Sequence, residues 1–316
     1  MDQVKTYDVA VVGAGAAGLQ AALTLGRMHK RTVVLGTDRY RNDPAEHMHN
    51  FLGHDGTPPA ALRVAARADL ERYATVELVD REVVSISGEP GAFTLELAGS
   101  APVVAQRVLL ATGVVDEVPD VPGLRPLFGD VVAHCPFCHG HEFTGTRVGV
   151  LGVGPHLPRF AGMLAPIATG ITVLTGGEPV DAETAGQLRG LGVDVRTERV
   201  LGVCRGPAGV TVELDGAPTE ELGGLFVKTE WRQATPFAEQ LGLELSPVGA
   251  VVVDAMGHTS RDGVYAAGDL AQGPGLPMPL SSVLTSAAGG LVAASACVHD
   301  GALELAVARP EDGRAA

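Results

Sequence analysis

The sequence predicts an α/β fold in which one three-layer domain is interrupted by a second. Two glycine-rich turns support this, because each directly follows a short apolar strand, at residues 7–12 and at residues 147–151. Apolar strands at 251–253 and 263–267 then return to the style of the first unit. We therefore expect two Rossmann-like domains. One is made of residues 1–118 and 246–316, and the other of residues 119–245.

Composition and charge restrict the class of partner. A chain of 316 residues is long enough for two domains, and its net charge of -14 with no basic cluster disfavours nucleic acid or an anionic membrane as partner. Four cysteines and an N-terminus without signal-peptide features predict a cytoplasmic protein without a secreted-type disulfide framework. The uncharged stretch 281–298 is weakly apolar, and we expect a buried helix there rather than a membrane span.

The first glycine loop predicts dinucleotide binding. Residues 13–18 read Gly-Ala-Gly-Ala-Ala-Gly between an apolar strand and an Ala/Leu helix from 19 to about 28, and a second strand follows at 32–35. Glycines at these positions allow a tight turn and close approach of the backbone to a pyrophosphate, which the helix N-terminus attracts. The predicted ligand-binding residues of this loop are Gly13, Gly15, Ala16, Ala17 and Gly18.

Two features after the second strand have open interpretations. Asp38 lies two residues beyond the usual place of the acid that binds the adenosine ribose, so it is either that ligand or a solvated loop acid. His47 and His49 flank Met48 in a loop, where they either serve a site or are ordinary exposed histidines.

Two further strands end in residues suited to a cofactor. The strand 107–110 runs into Ala111-Thr112-Gly113, and the strand 263–267 runs into Gly268-Asp269, whose carboxylate can accept hydrogen bonds from cofactor hydroxyls. Between them, residues 114–123 carry prolines and acids without periodicity, which predicts a linker. A final helix from 282 to 299 would follow against the cofactor.

Reactive side chains are most concentrated in residues 134–140, which read His-Cys-Pro-Phe-Cys-His-Gly and carry two thiols and two imidazoles. Cys135 and Cys138 can close a small disulfide ring, and Pro136 at the first helical position would put Cys138 in a helix start, where the thiolate is favoured. The preferred interpretation is a redox-active dithiol. A zinc site and an inert structural disulfide remain alternatives, although no second ligand pair of the kind that a structural zinc site needs follows in the sequence.

The second glycine loop, 149–154, departs from the dinucleotide pattern. Its third glycine position is Leu157, prolines stand at 155 and 158, and no lysine or arginine occurs between Arg159 and Arg189. We therefore expect NADPH binding to be lost, while Glu178 leaves room for NADH because an acid can bond a free 2′-hydroxyl.

The order of these motifs resembles the low-molecular-weight thioredoxin reductases over residues 6–300. The resemblance implies that FAD lies in the split domain, that Cys138 is the thiol nearest the isoalloxazine, that Cys135 exchanges with substrate, and that the protein is a homodimer. Beyond the first glycine loop and Asp38, the residues assigned to the cofactor are Arg41, Asn42, Asn50, Val83, Ala111, Thr112, Gly113, Gly268, Asp269 and Val283.

Departures from the reductases point to a narrower group. His139 stands where the reductases have an acid, Ser281-Ser282 replaces an Arg-Gln pair, and the second glycine loop is degraded. The form Cys-Pro-Phe-Cys-His-Gly, with Arg41-Asn42 upstream, resembles the FAD-dependent dithiol oxidases of gliotoxin and holomycin biosynthesis. These close a disulfide in a small natural product and pass electrons to O2, giving hydrogen peroxide.

The expected catalytic residues are Cys135, Cys138, His139 as base and acid, and His134 as a candidate for holding a thiolate; no metal is expected. The alternatives are a pyridine-nucleotide-dependent disulfide reductase and a flavin-bound redox sensor without efficient turnover.

Overall fold

The computed structural model describes residues 4–308, which divide into two compact units. The first unit contains the chain up to Arg41, Ala60–Val115 and the chain from Arg232 onward. The second unit contains Asn42–Pro59 and Asp116–Trp231.

The helices and strands follow in chain order. The first part of the chain forms β1 (Lys5–Val12), α1 (Ala16–Arg27), β2 (Thr32–Gly36), α2 (Pro59–Leu70), β3 (Val76–Asp80), β4 (Val83–Glu89), β5 (Ala92–Leu97), β6 (Val103–Leu110) and β7 (Val114–Glu117). The middle part forms β8 (Val132–Ala133), α3 (Pro136–His139), β9 (Arg147–Leu151), α4 (Leu157–Leu164), β10 (Gly170–Leu174), α5 (Ala182–Gly190), β11 (Asp194–Arg196), β12 (Val200–Arg205), β13 (Val210–Leu214), β14 (Glu220–Leu222), β15 (Gly224–Val227) and β16 (Glu230–Gln233), with short 3-10 turns at Arg125–Leu127 and His141–Phe143. The last part forms α6 (Phe237–Gln240), β17 (Val251–Val252), β18 (Val264–Ala266), β19 (Ala271–Gln272) and α7 (Val283–Ala308).

The first unit is built on a sheet with the strand order β3-β2-β1-β6-β5-β4, in which β18 also pairs with β6. Strands β1, β2, β3, β6 and β18 are parallel, whereas β4 and β5 are antiparallel additions. Val12 of β1 lies opposite Leu110 of β6. The carboxyl ends of both strands therefore meet at one edge, which puts the first glycine loop beside Ala111.

The second unit is built on a parallel sheet with the order β11-β10-β9-β15-β8, and β12, β13 and β14 form an antiparallel sheet. Strand β8 lies at the sheet edge and leads directly into His134 and Cys135. The prediction of an α/β fold with Rossmann-like domains is confirmed by this arrangement. The dithiol motif thus begins at the carboxyl end of a parallel strand, where α/β proteins place their ligands.

The compact units differ from the predicted domain limits in two places. Residues 42–59, predicted in the first domain, belong to the second unit, where the Gly129 backbone packs so closely on Pro44 that a Cβ on Gly129 would lie 2.6 Å from the Pro44 Cβ. Residues 232–245, predicted in the second domain, belong to the first unit. There Gln240 Oε1 accepts a hydrogen bond from the Ile86 amide at 3.2 Å.

Two local expectations differ from the structure. The linker predicted at 114–123 contains the boundary between the two units, at Val115 and Asp116, but it begins with β7, which pairs with β16 in a two-stranded sheet. The helix predicted to be buried is α7, but only 28% of its most apolar stretch is buried. By length and composition alone, α7 could cross a membrane. One face of α7 packs on α1, with Gly290 approaching the Ala17 carbonyl, and much of the remainder is exposed.

Candidate active site

Two glycines of the first loop are required by the packing of the loop itself. Gly13 has a φ of +112°, and a Cβ there would lie 2.2 Å from the carbonyl oxygen of Ala111. A Cβ on Gly18 would lie 1.8 Å from the carbonyl oxygen of Gly13. Neither position can hold a side chain without moving the backbone, so β1, α1 and the end of β6 approach one another closely.

Gly15 has a different role, because no heavy atom lies within 4 Å of a Cβ built there. It is the N-cap of α1, with extended backbone and no side-chain capping bond, and the first turn of α1, which contains Ala16 and Ala17, has no acidic residue. Open space at an uncapped helix N-terminus fits the pyrophosphate of a dinucleotide, since the first N–H groups of a helix lack intrahelical partners.

The Ala-Thr-Gly segment lies beside this loop. The Ala111 amide donates to the Val12 carbonyl at 2.8 Å. Thr112 Oγ1 accepts from the Thr235 hydroxyl at 3.2 Å, and Gly113, with a φ of +67°, accepts from the Ala234 amide at 3.2 Å. Residues 234–235 therefore fix the segment after β6, a role that the sequence did not indicate.

Arg41 and Asp269, both assigned to the cofactor from the sequence, are joined in the first unit. An Arg41 guanidinium nitrogen lies 2.8 Å from Asp269 Oδ2, and the two side chains are 20% and 17% exposed. Asp269 Oδ1 accepts a hydrogen bond from Ser286 Oγ of α7 at 3.1 Å. Gly268, with a φ of +86°, makes the turn that presents this carboxylate, and Val283 is the first residue of α7.

The remaining predicted cofactor residues have separate positions. Asp38 is exposed beyond the end of β2, and Val83 is a buried residue at the start of β4. Asn42 and Asn50 belong to the second unit rather than to the unit that holds the glycine loop. Asn50 has a φ of +65°, and its amide donates to Asp55 Oδ1 at 2.8 Å.

The dithiol motif forms the short helix α3, whose first residue is Pro136, as predicted. Cys135 is the N-cap, with extended backbone, and the Cys138 amide donates to the Cys135 carbonyl. The two sulfur atoms lie 2.6 Å apart, and both residues are half-buried. This geometry allows dithiol and disulfide to interconvert with little movement of the backbone.

His139 is oriented by a backbone carbonyl. Its Nε2 lies 3.2 Å from the oxygen of Gly129, and because a carbonyl only accepts, Nε2 must carry a proton. The neutral ring therefore has its lone pair on Nδ1. Burial lowers the pKa of His139, outweighing the opposite effects of the Gly129 carbonyl and of Glu142. His139 is thus favoured in the neutral form, which can accept a proton.

Two other histidines of the second unit, His134 and His49, have defined contacts. The His134 ring stacks on Phe128 with centroids 5.6 Å apart. His49 Nε2 lies 3.3 Å from Glu142 Oε1, which brings the upstream segment 42–59 to the turn after α3. Sequence analysis named neither Gly129 nor Glu142. Among the described residues, no group of three or more His, Cys, Asp or Glu side chains is arranged to hold a metal ion.

The second glycine loop is partly covered by its own chain. Gly154 has a φ of +149°, and a Cβ there would lie 2.8 Å from His156 Nδ1. Burial and the charge of Lys228 lower the pKa of this histidine. Leu157, at the third glycine position, is 1% exposed in the core of the second unit.

Comparison with known proteins shows which family the chain matches. The family model for pyridine nucleotide-disulphide oxidoreductase matches residues 7–290. Thioredoxin reductase aclD of Aspergillus oryzae is 37% identical over 284 residues, covering 83% of this chain and 88% of that protein. Thioredoxin reductase sirT of Leptosphaeria maculans is 31% identical over 309 residues, covering 92% of each.

Solved structures agree with this assignment. The crystal structure of HlmI superimposes with a TM-score of 0.87 at 33% identity, covering 97% of this chain and 96% of that one. An oxidoreductase from Agrobacterium tumefaciens superimposes with a TM-score of 0.86 at 35% identity, covering 94% and 99%. The predicted resemblance is confirmed: the chain belongs to the pyridine nucleotide-disulphide oxidoreductase family and is a thioredoxin-reductase-like flavin-dependent disulfide oxidoreductase.

Proposed function

We propose that the protein is an FAD-dependent dithiol oxidase. It closes an intramolecular disulfide in a small-molecule dithiol through Cys135 and Cys138, with O2 as the electron acceptor and hydrogen peroxide as the product. The observation that carries this proposal is the contrast between the two glycine loops, because a second loop unsuited to a nicotinamide cofactor favours the substrate as the source of electrons.

The first loop has room for a dinucleotide and the second has less. Space beside Gly15 is open, whereas the His156 ring covers Gly154. The third glycine, Gly18 in the first loop, is replaced by Leu157 in the second, so that the helix cannot approach the turn in the same way. A nucleotide pyrophosphate needs close backbone contact at these points. Poorer backbone contact for a nicotinamide cofactor favours the dithiol substrate as the source of electrons.

The charge beyond β10 also disfavours NADPH. A cleft of about 520 Å³ there is lined by Glu178 and Asp194 together with one basic residue, Arg189. A 2′-phosphate would meet two carboxylates, while a free 2′-hydroxyl could donate to Glu178. The second candidate function is therefore an NADH-dependent disulfide reductase, and Glu178 is the observation that favours it.

The proposed reaction begins with the enzyme disulfide. A substrate thiolate attacks Cys135 Sγ, the Cys135–Cys138 bond breaks, and Cys138 leaves as a thiolate. His139 takes the substrate thiol proton on Nδ1. The second substrate thiolate then attacks the sulfur joined to Cys135, which breaks the mixed disulfide and releases the cyclic product. The enzyme is left as a dithiol that holds two electrons.

When bound at the first glycine loop, FAD would supply the two-electron redox chemistry that links the enzyme dithiol to O2. The residues that would hold it are Gly15 and the first turn of α1 at the pyrophosphate, and Asp269, oriented by Arg41 and Ser286, at the hydroxyls. Neutral His139 can take up and return a proton near neutrality, where a carboxylate would be a much weaker base.

Homodimerisation is part of the same proposal. Large apolar side chains of α7 are exposed in the single chain, among them Leu284, Leu291 and Leu303. Burying them against a second copy would remove apolar surface from water. Analytical ultracentrifugation of the flavin-loaded protein is expected to give a dimer mass.

Oxygen uptake with a small dithiol tests the activity. The flavin-loaded protein is expected to consume one O2 and release one peroxide for each disulfide formed, without added nicotinamide. Cys138→Ser should abolish this turnover, whereas Cys204→Ser, at an exposed cysteine on β12, should not. Rapid NADH oxidation with a disulfide, and no oxygen uptake with dithiols, would establish the reductase instead. If the protein shows neither of these two activities, that result would indicate a redox sensor.

A further inference from the structure

His258 lies between two carboxylates that come from different parts of the first unit. Its Nδ1 is 2.9 Å from Asp254 Oδ2, in the loop after β17, and its Nε2 is 3.0 Å from Asp300 Oδ2, on α7. Carboxylate oxygens only accept hydrogen bonds, so a neutral imidazole, which has one N–H, can satisfy one of them, whereas an imidazolium satisfies both. The two distances therefore fit a protonated His258 that joins the loop to the helix.

Both carboxylates are also oriented by groups other than the imidazole ring. Asp254 Oδ1 accepts hydrogen bonds from the amides of Met256 at 2.8 Å and of His258 at 3.0 Å, which fixes the loop. Asp300 Oδ2 also accepts a hydrogen bond from the hydroxyl of Tyr265, a residue of β18 that is 2% exposed. The positions of the two acceptors are thus set by the loop and by β18 as well as by the ring between them.

The other titratable and charged groups packed around this contact keep their charge state near neutral pH. The guanidinium of Arg107, a buried residue of β6, lies 2.5 Å from Glu304 Oε1 of α7. Cys297 of α7 is 2% exposed, and burial raises the pKa of its thiol. Burial likewise raises the pKa of the Tyr265 hydroxyl. His258 is therefore the group of this cluster whose charge changes near neutrality.

The pKa shifts of the contact agree with its geometry. Burial lowers the pKa of His258, but Asp254 and Asp300 outweigh burial and raise it above 6.5. Burial raises the pKa of Asp254, but hydrogen bonds from His258 and Met256 outweigh burial and lower it. A histidine with a raised pKa in the folded state stabilises that state fully below its unfolded pKa of about 6.5 and loses this effect as the pH rises through the folded value. The contact between the loop and α7 therefore weakens towards higher pH.

We propose that His258 is a proton-dependent latch that holds the C-terminal part of α7, residues 296–308, on the loop 254–258. When the imidazolium loses its proton, one of its two carboxylate contacts is lost and this end of α7 opens locally. The N-terminal part of α7 stays in place because it has separate contacts, among them Gly290 against the Ala17 carbonyl and Ser286 with Asp269. The latch is independent of the oxidase activity.

Cys297 is a reporter of this opening within the chain itself. It lies three residues before Asp300 and is buried, so a thiol reagent reaches it when the helix end opens. Serine at the other three cysteines, Cys135, Cys138 and Cys204, leaves Cys297 as the only thiol. The opening constant is the labelling rate of the flavin-loaded full chain divided by the rate of the unfolded chain at the same pH, a ratio that removes the effect of thiol ionisation.

The opening constant is expected to rise about 2- to 10-fold between about pH 6 and about pH 9, which is the size that one or two partly exposed ion pairs contribute. His258→Gln should show the higher constant at every pH. His299→Gln is the matched control, because His299 is exposed on the same helix and the variant should keep the pH dependence of the parent chain. Tyr265→Phe removes one bond to Asp300 but leaves the imidazole, so it should raise the opening constant and keep the pH dependence.

An opening constant that does not change with pH in the parent chain overturns the inference, and so does a pH dependence that persists in folded His258→Gln. Hydrogen exchange of the flavin-loaded chain, corrected for the intrinsic exchange rate, locates the opening. Protection should fall with pH in residues 296–308 and 254–258 but not in α1. Loss of protection throughout the first unit would show global unfolding and would also overturn the latch. Neither measurement needs turnover, so absence of oxygen uptake with dithiols would leave both tests unchanged.

Discussion

Replacing Gly15 with alanine should weaken FAD binding without unfolding the first unit. Gly15 has a φ of -79° and a ψ of -170°, which any residue adopts, and no protein atom lies within 4 Å of the added Cβ. The methyl group would instead project into the space before the α1 N-terminus. The substitution therefore acts on the ligand and leaves the protein's own packing intact.

The size of the expected loss of FAD affinity follows from contact distances. A phosphate oxygen hydrogen-bonded to a backbone N–H lies about 2.9 Å from the nitrogen, whereas a methyl carbon needs roughly 3.5 Å or more from its neighbours. The pyrophosphate must move away, and a hydrogen bond to a charged group contributes about 1.5–3 kcal/mol. Losing one such bond weakens FAD binding about 10- to 100-fold.

The assay is FAD titration of the flavin-stripped protein, followed by flavin fluorescence, for Gly15→Ala and for a matched control. Gly186 lies within α5 with nothing within 4 Å of an added Cβ, so Gly186→Ala should gain about 0.5–1 kcal/mol of stability and bind FAD normally. A folded Gly15→Ala protein that binds FAD with the affinity of the parent chain would refute the assignment of this loop to the pyrophosphate.

Three further outcomes are expected. His139→Asn should slow dithiol oxidation by about 10²- to 10⁴-fold at normal flavin content; a rate within a few fold of the parent chain would exclude His139 as the base. Gly18→Ala should destabilise the fold by about 1–3 kcal/mol in urea unfolding, because its Cβ would lie 1.8 Å from a carbonyl oxygen, and unchanged stability would contradict that packing. Burial lowers the pKa of His258, but Asp254 and Asp300 outweigh burial and raise it above 6.5. Folding therefore favours the protonated form of His258. The Tm of the parent chain should exceed that of His258→Gln by the full amount below about pH 6.5, and this difference should vanish as the pH rises through the raised pKa of His258. A Tm difference that grows with pH would contradict this prediction.

Local chemistry made much of the site predictable. The glycine loop between β1 and α1 is encoded by an apolar run, three glycines and an Ala/Leu helix, and Pro136 sets the start of α3 because proline suits the first helical position. The approach of Ala111 to Gly13 follows from the parallel pairing of β1 with β6, which aligns their carboxyl ends.

Partners distant in the chain were not predictable in the same way. Arg41 and Asp269 are 228 residues apart, and no periodicity or spacing links them. The pairing of His49 with Glu142 depends on segment 42–59 joining the second unit, which is decided by tertiary packing against residues such as Gly129. The small apolar residues of α7 likewise indicate a helix but not how much of its surface is covered.

The most direct test of the dithiol oxidase proposal is anaerobic absorbance at the flavin band of the purified, flavin-loaded protein. A small dithiol in one cuvette is expected to bleach the flavin, and admitted air to restore it with one equivalent of hydrogen peroxide, while NADPH and NADH in a second cuvette leave the spectrum unchanged. Rapid bleaching by either nicotinamide, with none by dithiols, would contradict the account and identify a reductase that uses the second glycine loop.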